Sequence, residues 1–237
     1  MNRPSRLTRP IPDTPTTIVD LSGHGSAVRV RQVIVFGAGG HGRELADIVR
    51  AAGAESGEVE LLGVVDDGTP DRTVLARAGV RYLGGRAAIS GRETEVHLGV
   101  GYPRVRARID EELGLLPATP VAHPTASVGS GSFLDDGVVL AQGAIITTNV
   151  KLGRHTHINV AASISHDCVV GDYVTICPQA AVTGAASIGS RSFIGSGAMI
   201  LPGISIGENV TVGAGAVVAS NIPSNTTVAG VPARPLS

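Results

Sequence analysis

The feature that most constrains this chain is an apolar ladder with a step of six residues. From Val128 onward every sixth residue is Leu, Ile or Val, and the ladder reaches Val218 without one insertion. A small or apolar residue follows four places later in nearly every repeat, with Ser132, Thr156 and Ser192 as exceptions. A helix would scatter positions six apart, whereas extended backbone keeps positions i, i+4 and i+6 on one side. The ladder therefore predicts a series of short strands.

The residue three places after each repeat start predicts where these strands turn. It is Gly in six repeats, Asn in three and Asp in one: Gly131, Gly137, Gly143, Gly197, Gly203, Gly215, Asn149, Asn209, Asn221 and Asp167. These residue types tolerate the left-handed backbone conformation that a sharp corner needs. Three corners close a triangular coil, so the repeats predict about five stacked coils around an apolar interior. The repeat itself does not fix the handedness of this parallel β-solenoid.

Composition excludes several classes of protein. Aromatic residues make up 3% of the chain and the net charge is −1, so a basic, aromatic surface for nucleic acid is absent. Arg3, Arg6 and Arg9 are not followed by an apolar stretch, and no run is long enough to span a membrane, which predicts a cytoplasmic protein without membrane insertion. Cys168 and Cys177 form neither a metal-ligand spacing nor a disulfide framework, which fits a reducing compartment.

Three domains are predicted along the chain. Residues 1–30 are rich in Pro, with one short strand expected at 17–21, and are interpreted as a flexible extension. Residues 31–118 alternate apolar runs with helical patterns and predict a small parallel α/β sheet. The runs are 33–36, 61–65 and 96–100, and the helical patterns are 43–52 and 104–113. Residues 119–237 hold the solenoid.

Three local sequences carry a resemblance to a known family. They are the glycine turn Gly37-Ala38-Gly39-Gly40-His41-Gly42, the segment Ile164-Ser165-His166-Asp167-Cys168 and the closing Ala229-Gly230-Val231-Pro232-Ala233-Arg234. Together with the hexads, they resemble the bacterial nucleotide-aminosugar N-acetyltransferases, relatives of the sialic acid O-acetyltransferases. The likeness covers roughly residues 31 to 235. It implies a half-Rossmann-like α/β domain followed by a left-handed parallel β-helix, and a homotrimer whose active sites lie between subunits. Acetyl-CoA would be the cosubstrate and a sugar nucleotide the acceptor.

His166 is the candidate catalytic base. It occupies a corner of its hexad, so its imidazole is expected to point out of the prism, and one coil further along the same edge lies Gly184, which would leave open space and a free N–H. From the residues alone, a plain surface histidine is the commoner interpretation. The resemblance implies that His166 is the general base, that Asp167 holds its tautomer, and that the Gly184 amide meets the thioester. Cys168 should point inward, so direct attack in a ternary complex is expected.

The resemblance also implies the binding residues. Donor contacts are expected at Thr175, Gly184, Ser196 and Ala214, although close relatives can carry a second histidine where this chain has Thr175. Acceptor contacts are expected at Gly39, Gly40, His41, Asp66, Asp67, Gly101 and Arg104. For Asp66 and Asp67 a solvated strand end is an equal alternative. No metal is expected, because His166 has Thr148 and Gly184 as its neighbours one coil away, and His123, His155 and His157 are interpreted as surface residues.

The predicted reaction is N-acetylation of a nucleotide-linked amino sugar, of the UDP-4-amino-4,6-dideoxy type. O-acetylation of a sialic acid or another sugar hydroxyl is an alternative that would use the same His166. A nonenzymatic sugar-nucleotide-binding scaffold is a second alternative. The pattern Gly37, Gly39 and Gly42 also fits dinucleotide binding. An NAD-dependent oxidoreductase, however, would give no function to the solenoid.

Overall fold

The front domain is built on a four-stranded sheet. The computed structural model describes residues 30–90 and 94–236, so all but the last residue of the predicted extension, with its strand at 17–21, lies outside the described residues. The elements are β1 (Arg31–Phe36), α1 (Gly40–Ser56), β2 (Val59–Val65), α2 (Arg72–Arg77), β3 (Tyr82–Gly84), β4 (Glu95–Leu98) and α3 (Pro103–Leu113). A short 3-10 turn spans Arg86–Ala88. All four strands are parallel, in the order β3-β2-β1-β4.

The apolar run of β1 places it at the centre of the sheet. Val33, Ile34 and Val35 are fully buried, because neighbouring strands flank β1 and side chains pack on both of its faces. The chain leaves β1 toward β2 on one side, while β4 joins on the other. In open parallel sheets, ligands bind at such a reversal of strand order, beyond the carboxyl ends of the strands. The glycine turn after β1 and Gly101 after β4 therefore flank the expected binding crevice.

Beyond Pro120 the chain winds as a three-sided prism. The first face holds β5 (Val121–Ala122), β8 (Val139–Leu140), β11 (His157–Ile158), β14 (Thr175–Ile176), β17 (Phe193–Ile194), β20 (Thr211–Val212) and β22 (Thr227–Ala229). The second holds β6 (Ser127–Val128), β9 (Ile145–Ile146), β12 (Ser163–Ile164), β15 (Ala181–Val182), β18 (Met199–Ile200) and β21 (Val217–Val218). The third holds β7 (Phe133–Leu134), β10 (Lys151–Leu152), β13 (Val169–Val170), β16 (Ser187–Ile188) and β19 (Ser205–Ile206).

The predicted corners are confirmed by the backbone. The fourth residue of every hexad from Gly131 to Gly215 has a positive φ, even where it carries a side chain, as at His155, with φ 51°, and Asp167, with φ 63°. The prediction for Asn221 is wrong. The positive φ falls instead at Asn225, because the last coil is shorter and Thr211 pairs with Thr227 rather than with a residue eighteen places on.

The interior of the prism is aliphatic and its polar exceptions are satisfied. Apart from the exposed Val128, the ladder residues and the apolar residues four places on pack in one cluster, which includes Cys168 as predicted. Of these residues, Leu134 and Ile204 are only partly buried. The hydroxyl groups of Ser132, Thr156 and Ser192 each donate to a backbone carbonyl one coil along, at 2.8 to 2.9 Å. Satisfied in this way, a hydroxyl is tolerated at a core position.

The front domain packs on the first face of the prism. Leu45, Ile48 and Val49 of α1 share a buried cluster with Val139 and Ala141 of the first face. At its far end the prism closes with β23 (Arg234–Pro235), which is antiparallel to β22. Among the described residues, no helix has the length and apolar character needed to cross a membrane.

Candidate active site

His166 lies on the edge between the second and third faces. Its side chain is 61% exposed, and its Nδ1 is 2.7 Å from Oδ2 of Asp167. Asn149, one coil earlier on the same edge, donates from Nδ2 to the other oxygen of Asp167 at 2.6 Å. These hydrogen bonds, the one from Asn149 foremost, lower the pKa of Asp167. From the sequence, Asn149 was identified only as a corner residue. Its spacing of eighteen residues from Asp167, which is one coil of the prism, is the signal that could have placed it beside this carboxylate.

The contact with Asp167 fixes the chemistry of His166. An ionised carboxylate only accepts hydrogen bonds, so Nδ1 of His166 carries the proton and Nε2 keeps its lone pair. An imidazole held in this tautomer is oriented to accept a proton at Nε2. The pair therefore has the arrangement of a general base.

Gly184 lies directly against this imidazole. A Cβ added there would be 2.6 Å from Cε1 and 2.7 Å from Nε2 of His166, so the ring itself occupies the space that was predicted to be open. The Gly184 N–H donates to no group within the described residues. A hydrogen-bond donor without a partner thus lies beside the unprotonated nitrogen of His166.

We expect Gly184→Ala to lower kcat by about a hundredfold, the cost of displacing a catalytic group by roughly 1 Å. The methyl group would push the imidazole aside and stretch its bond to Asp167. Because the atom displaced is the end of a side chain, the fold should tolerate the change. Steady-state kinetics measures the loss. A melting temperature close to that of the wild type is the control, and full activity in this variant would contradict the assigned geometry.

The glycine turn opens the amino end of α1. A Cβ at Gly39 or Gly40 would meet no other atom within 4 Å, so both residues leave the backbone accessible. At Gly42 a Cβ would overlap the carbonyl oxygen of Gly37, which explains the glycine at that position. Free N–H groups at a helix start attract anions. The turn is therefore suited to a phosphate.

Asp66 and Asp67 have protein partners already. Asp66 Oδ2 accepts from the N–H of Ala38 at 2.7 Å, so this carboxylate braces the glycine turn. Asp67 accepts from the backbone and the side chain of Arg86, at 2.9 and 2.7 Å, and the side-chain hydrogen bond is the main cause of its lowered pKa. Both carboxylates thus shape the crevice, and a nucleoside would compete with these bonds.

Gly101 and Arg104 do not share one wall of the crevice. Gly101 faces the His41 ring, since a Cβ there would be 3.9 Å from it. Arg104 is exposed and lines a separate groove with Tyr102, Arg191 and Phe193. The rings of Tyr102 and Phe193 stack in that groove with centroids 6.3 Å apart.

A polar cluster is buried where α3 meets the prism. Arg106 is fully buried, and all of its hydrogen-bond acceptors are neutral: the carbonyls of Val100, Gly101, His155, Tyr173 and Val174 and the hydroxyl of Thr175. Burial lowers the pKa of Arg106 to about 9. One helical turn further on, Asp110 accepts two hydrogen bonds from Arg154 at 2.9 Å and one from Tyr173 at 2.6 Å. Sequence reasoning did not identify Arg106 or Asp110.

Three predictions for this region are wrong. His155 and His157 are buried, at 0% and 1% exposed, because the front domain covers the edge and the strand that carry them. Thr175 is 2% exposed, and its hydroxyl donates to the carbonyl of Gly101 at 2.8 Å while it accepts from Arg106. A donor contact at Thr175 does not fit this geometry, which makes Thr175 part of the contact between the domains.

The remaining predicted donor residues lie on two different edges. Ser196 and Ala214 are exposed on the edge between the first and second faces. His166 and Gly184 are on the edge between the second and third faces, and the front domain with its glycine turn lies on the first face. One chain therefore does not bring its own glycine turn to its own His166. In the part of the chain described here, no group of three His, Cys, Asp or Glu side chains is arranged to hold a metal ion.

Comparison with known proteins adds several likenesses. Residues 32–113 match the PglD N-terminal domain, and residues 185–220 match the bacterial transferase hexapeptide (six repeats). The GDP-perosamine N-acetyltransferase of Escherichia coli O157:H7 is 32% identical over 164 residues, which cover 67% of this chain and 73% of that protein.

Two solved structures are similar over nearly the whole chain. The acetyltransferase domain of PglB from Neisseria gonorrhoeae FA1090 is 32% identical with a TM-score of 0.76, over 87% of this chain and 100% of that one. PerB from Caulobacter crescentus, in complex with CoA and GDP-perosamine, is 28% identical with a TM-score of 0.77, over 90% and 100%. These likenesses confirm the predicted fold class, a half-Rossmann-like α/β domain followed by a left-handed parallel β-helix.

Proposed function

Since this chain belongs to the bacterial nucleotide-aminosugar N-acetyltransferases built on hexapeptide repeats, we propose that it transfers the acetyl group of acetyl-CoA to the amine of a nucleotide-linked amino sugar. The observation that carries the proposal is the pair His166 and Asp167, with a free Nε2 beside the unused N–H of Gly184. Acyl transfer needs a base and an oxyanion donor at one place.

The proposed reaction has the following steps. The amine nitrogen attacks the thioester carbonyl, and Nε2 of His166 takes a proton from that nitrogen. The Gly184 N–H donates to the oxyanion of the tetrahedral intermediate. When the C–S bond breaks, the imidazolium returns the proton to the departing sulfur, which yields the N-acetylated sugar and CoA. Asp167 stabilises the imidazolium. Because the amine attacks the thioester directly, no covalent enzyme intermediate is required, and the buried Cys168 takes no part.

The active protein is proposed to be a homotrimer. Its support is the separation of His166 from the glycine turn of the same chain, so that a second copy must complete the site. Exposed apolar side chains lie on the two faces that the front domain leaves free: Ile145 and Met199 on the second face, and Phe133 and Val169 on the third. A donor between neighbouring prisms would touch His166 and Gly184 of one copy and Ser196 and Ala214 of the other.

The acceptor is proposed to bind in the crevice of the front domain. Its phosphates would meet the N–H groups of Gly39 and Gly40 and the side chain of His41, with the nucleoside near Asp66 and Asp67. The names of the relatives from E. coli and C. crescentus favour GDP over the UDP that the resemblance predicts. The sugar would extend past Gly101 toward His166 of the neighbouring copy. A cytoplasmic location is part of this proposal.

A panel experiment tests the function. The full chain is incubated with acetyl-CoA and with GDP-, UDP- and dTDP-linked 4-amino sugars, and products are identified by mass spectrometry. We expect one nucleotide class to gain an acetyl group on nitrogen. Acetylation of a hydroxyl group of these sugars, with the amine left free, would favour the O-acetyltransferase alternative. Thermal stabilisation by a sugar nucleotide without any acetylated product would favour the binding scaffold.

A further inference from the structure

Two histidines from different domains meet at the edge of the crevice. His41 is the second residue of α1 in the front domain, and His157 is on β11 of the prism. Nε2 of His41 is 2.9 Å from Nδ1 of His157, and the ring centroids are 5.1 Å apart. Nδ1 of His41 is 3.3 Å from Oε2 of Glu44, one helical turn further along α1. The three side chains thus form a continuous chain of hydrogen-bonding groups.

Glu44 indicates the direction of the protons in this chain. A carboxylate accepts, so the contact with Glu44 favours a hydrogen on Nδ1 of His41. A neutral imidazole carries one hydrogen, which leaves Nε2 of His41 as an acceptor. His157 must then donate from its own Nδ1. The consistent assignment is His157 Nδ1–H to His41 Nε2, and His41 Nδ1–H to Glu44.

The burial of His157 agrees with this assignment. Its Nε2 has no contact with solvent and no hydrogen-bond partner among the described residues, so a hydrogen there would be an orphan donor. Burial, together with the positive charge of Arg106, lowers the pKa of both rings and keeps them neutral. The titratable groups that face the two rings are Glu44, His97, Arg106 and His155.

We propose that His157 is a positioning residue, which holds the proton of His41 on Nδ1, the nitrogen directed at the exposed carboxylate of Glu44. His41 then donates Nδ1–H to an oxygen of the sugar nucleotide. This inference rests on the proposed function. His41 lies beside Gly39 and Gly40 at the open start of α1, and its present partner Glu44 is 70% exposed, so an anionic ligand readily replaces it. In this tautomer the lone pair of the His41 ring is at Nε2, where it accepts from His157, and the role of base is left to His166.

The tautomer is tested directly by NMR of the full chain with 15N-labelled histidine. Two-bond 1H–15N correlations distinguish the two neutral forms, and the signals of His41 are identified by their loss in His41→Gln. We expect the Nδ1–H form in the wild type and a gain of the Nε2–H form in His157→Leu, because the exposed Glu44 at 3.3 Å holds the tautomer less firmly than the buried His157 at 2.9 Å. His157→Asn should restore the wild-type pattern, because the amide nitrogen of Asn lies near the position of Nδ1. An Nε2–H form in the wild type overturns the inference.

Kinetics supplies the second readout. For His157→Leu we expect the KM of the sugar nucleotide to rise about tenfold, the effect of weakening one hydrogen bond to a charged ligand, with kcat and the KM of acetyl-CoA nearly unchanged. His157→Asn should recover most of the affinity, and His123→Leu is the matched control. Equal losses for both substrates would mean a merely structural role and would overturn the inference. If no aminosugar is acetylated, the proposed function fails, while the NMR result still decides the tautomer.

Discussion

His166→Ala is expected to lower kcat by about 10²- to 10⁴-fold, the usual contribution of a positioned general base. The variant removes the imidazole that lies against Gly184 and whose Nε2 has a lone pair free to take a proton. Because the side chain is exposed and makes its bond only to Asp167, the fold should be unaffected. Steady-state kinetics measures the loss, and calorimetric titration with CoA and with the sugar nucleotide should show binding close to that of the wild type.

Two further variants make this result specific. Asp167→Asn keeps a polar group but removes the carboxylate that fixes the tautomer, so a smaller loss of kcat, about tenfold, is expected. His123→Ala changes a histidine at the start of the prism and should leave the kinetics unchanged. If His166→Ala turns over like the wild type, then His166 is not the base and the proposed mechanism is wrong.

The second large effect is expected for Arg106→Met. The substitution keeps most of the side-chain volume but removes every hydrogen bond that the guanidinium makes to the turn before α3 and to the prism. Three of the acceptors, the carbonyls of Val100, His155 and Tyr173, have no other donor among the described residues. An unpaired buried carbonyl costs about 1 to 3 kcal/mol, so the free energy of unfolding should fall by about 3 to 9 kcal/mol in total. This is a large share of the stability of an ordinary domain.

Urea denaturation followed by circular dichroism measures this loss. The helical signal of the front domain should disappear at a lower urea concentration than the β signal of the prism, because Arg106 joins the two. Arg108→Met, on the exposed side of the same helix, is the matched control and should melt like the wild type. A single transition at the wild-type midpoint in Arg106→Met would contradict the role assigned to this cluster.

The prism could be predicted from sequence because its rules are periodic. Nearly every ladder residue occupies the same kind of buried position, and each corner requires a residue with a positive φ. One atypical residue therefore does not hide the pattern that the other coils share. The corner rule fails at Asn221, where the shortened last coil ends the period. Helix α2 was missed for a related reason, since its six residues are too few to show an apolar period.

The residues that form the contact between the domains follow no sequence period, and most of the wrong predictions concern these residues. His155 and His157 have the pattern of surface positions, and only the packing of α1 and α3 on the prism buries them. The same packing buries the side chain of Thr175. His166 and Asp167 were identified because a local segment carries them, whereas Asn149 contributes through a neighbour one coil away.

The reversal of direction at β23 has a consequence for how these molecules behave when crowded. A stack of parallel coils ends in a row of unpaired amide and carbonyl groups, which could accept the first coil of another molecule and grow into a filament. Strand β23 runs against β22 and occupies that row on the first face, where Ala229 pairs with Arg234. The proline and the charged side chain of this strand make it a poor template for further pairing. On the first face, strand β23 therefore prevents the end of one prism from pairing with the first coil of another molecule.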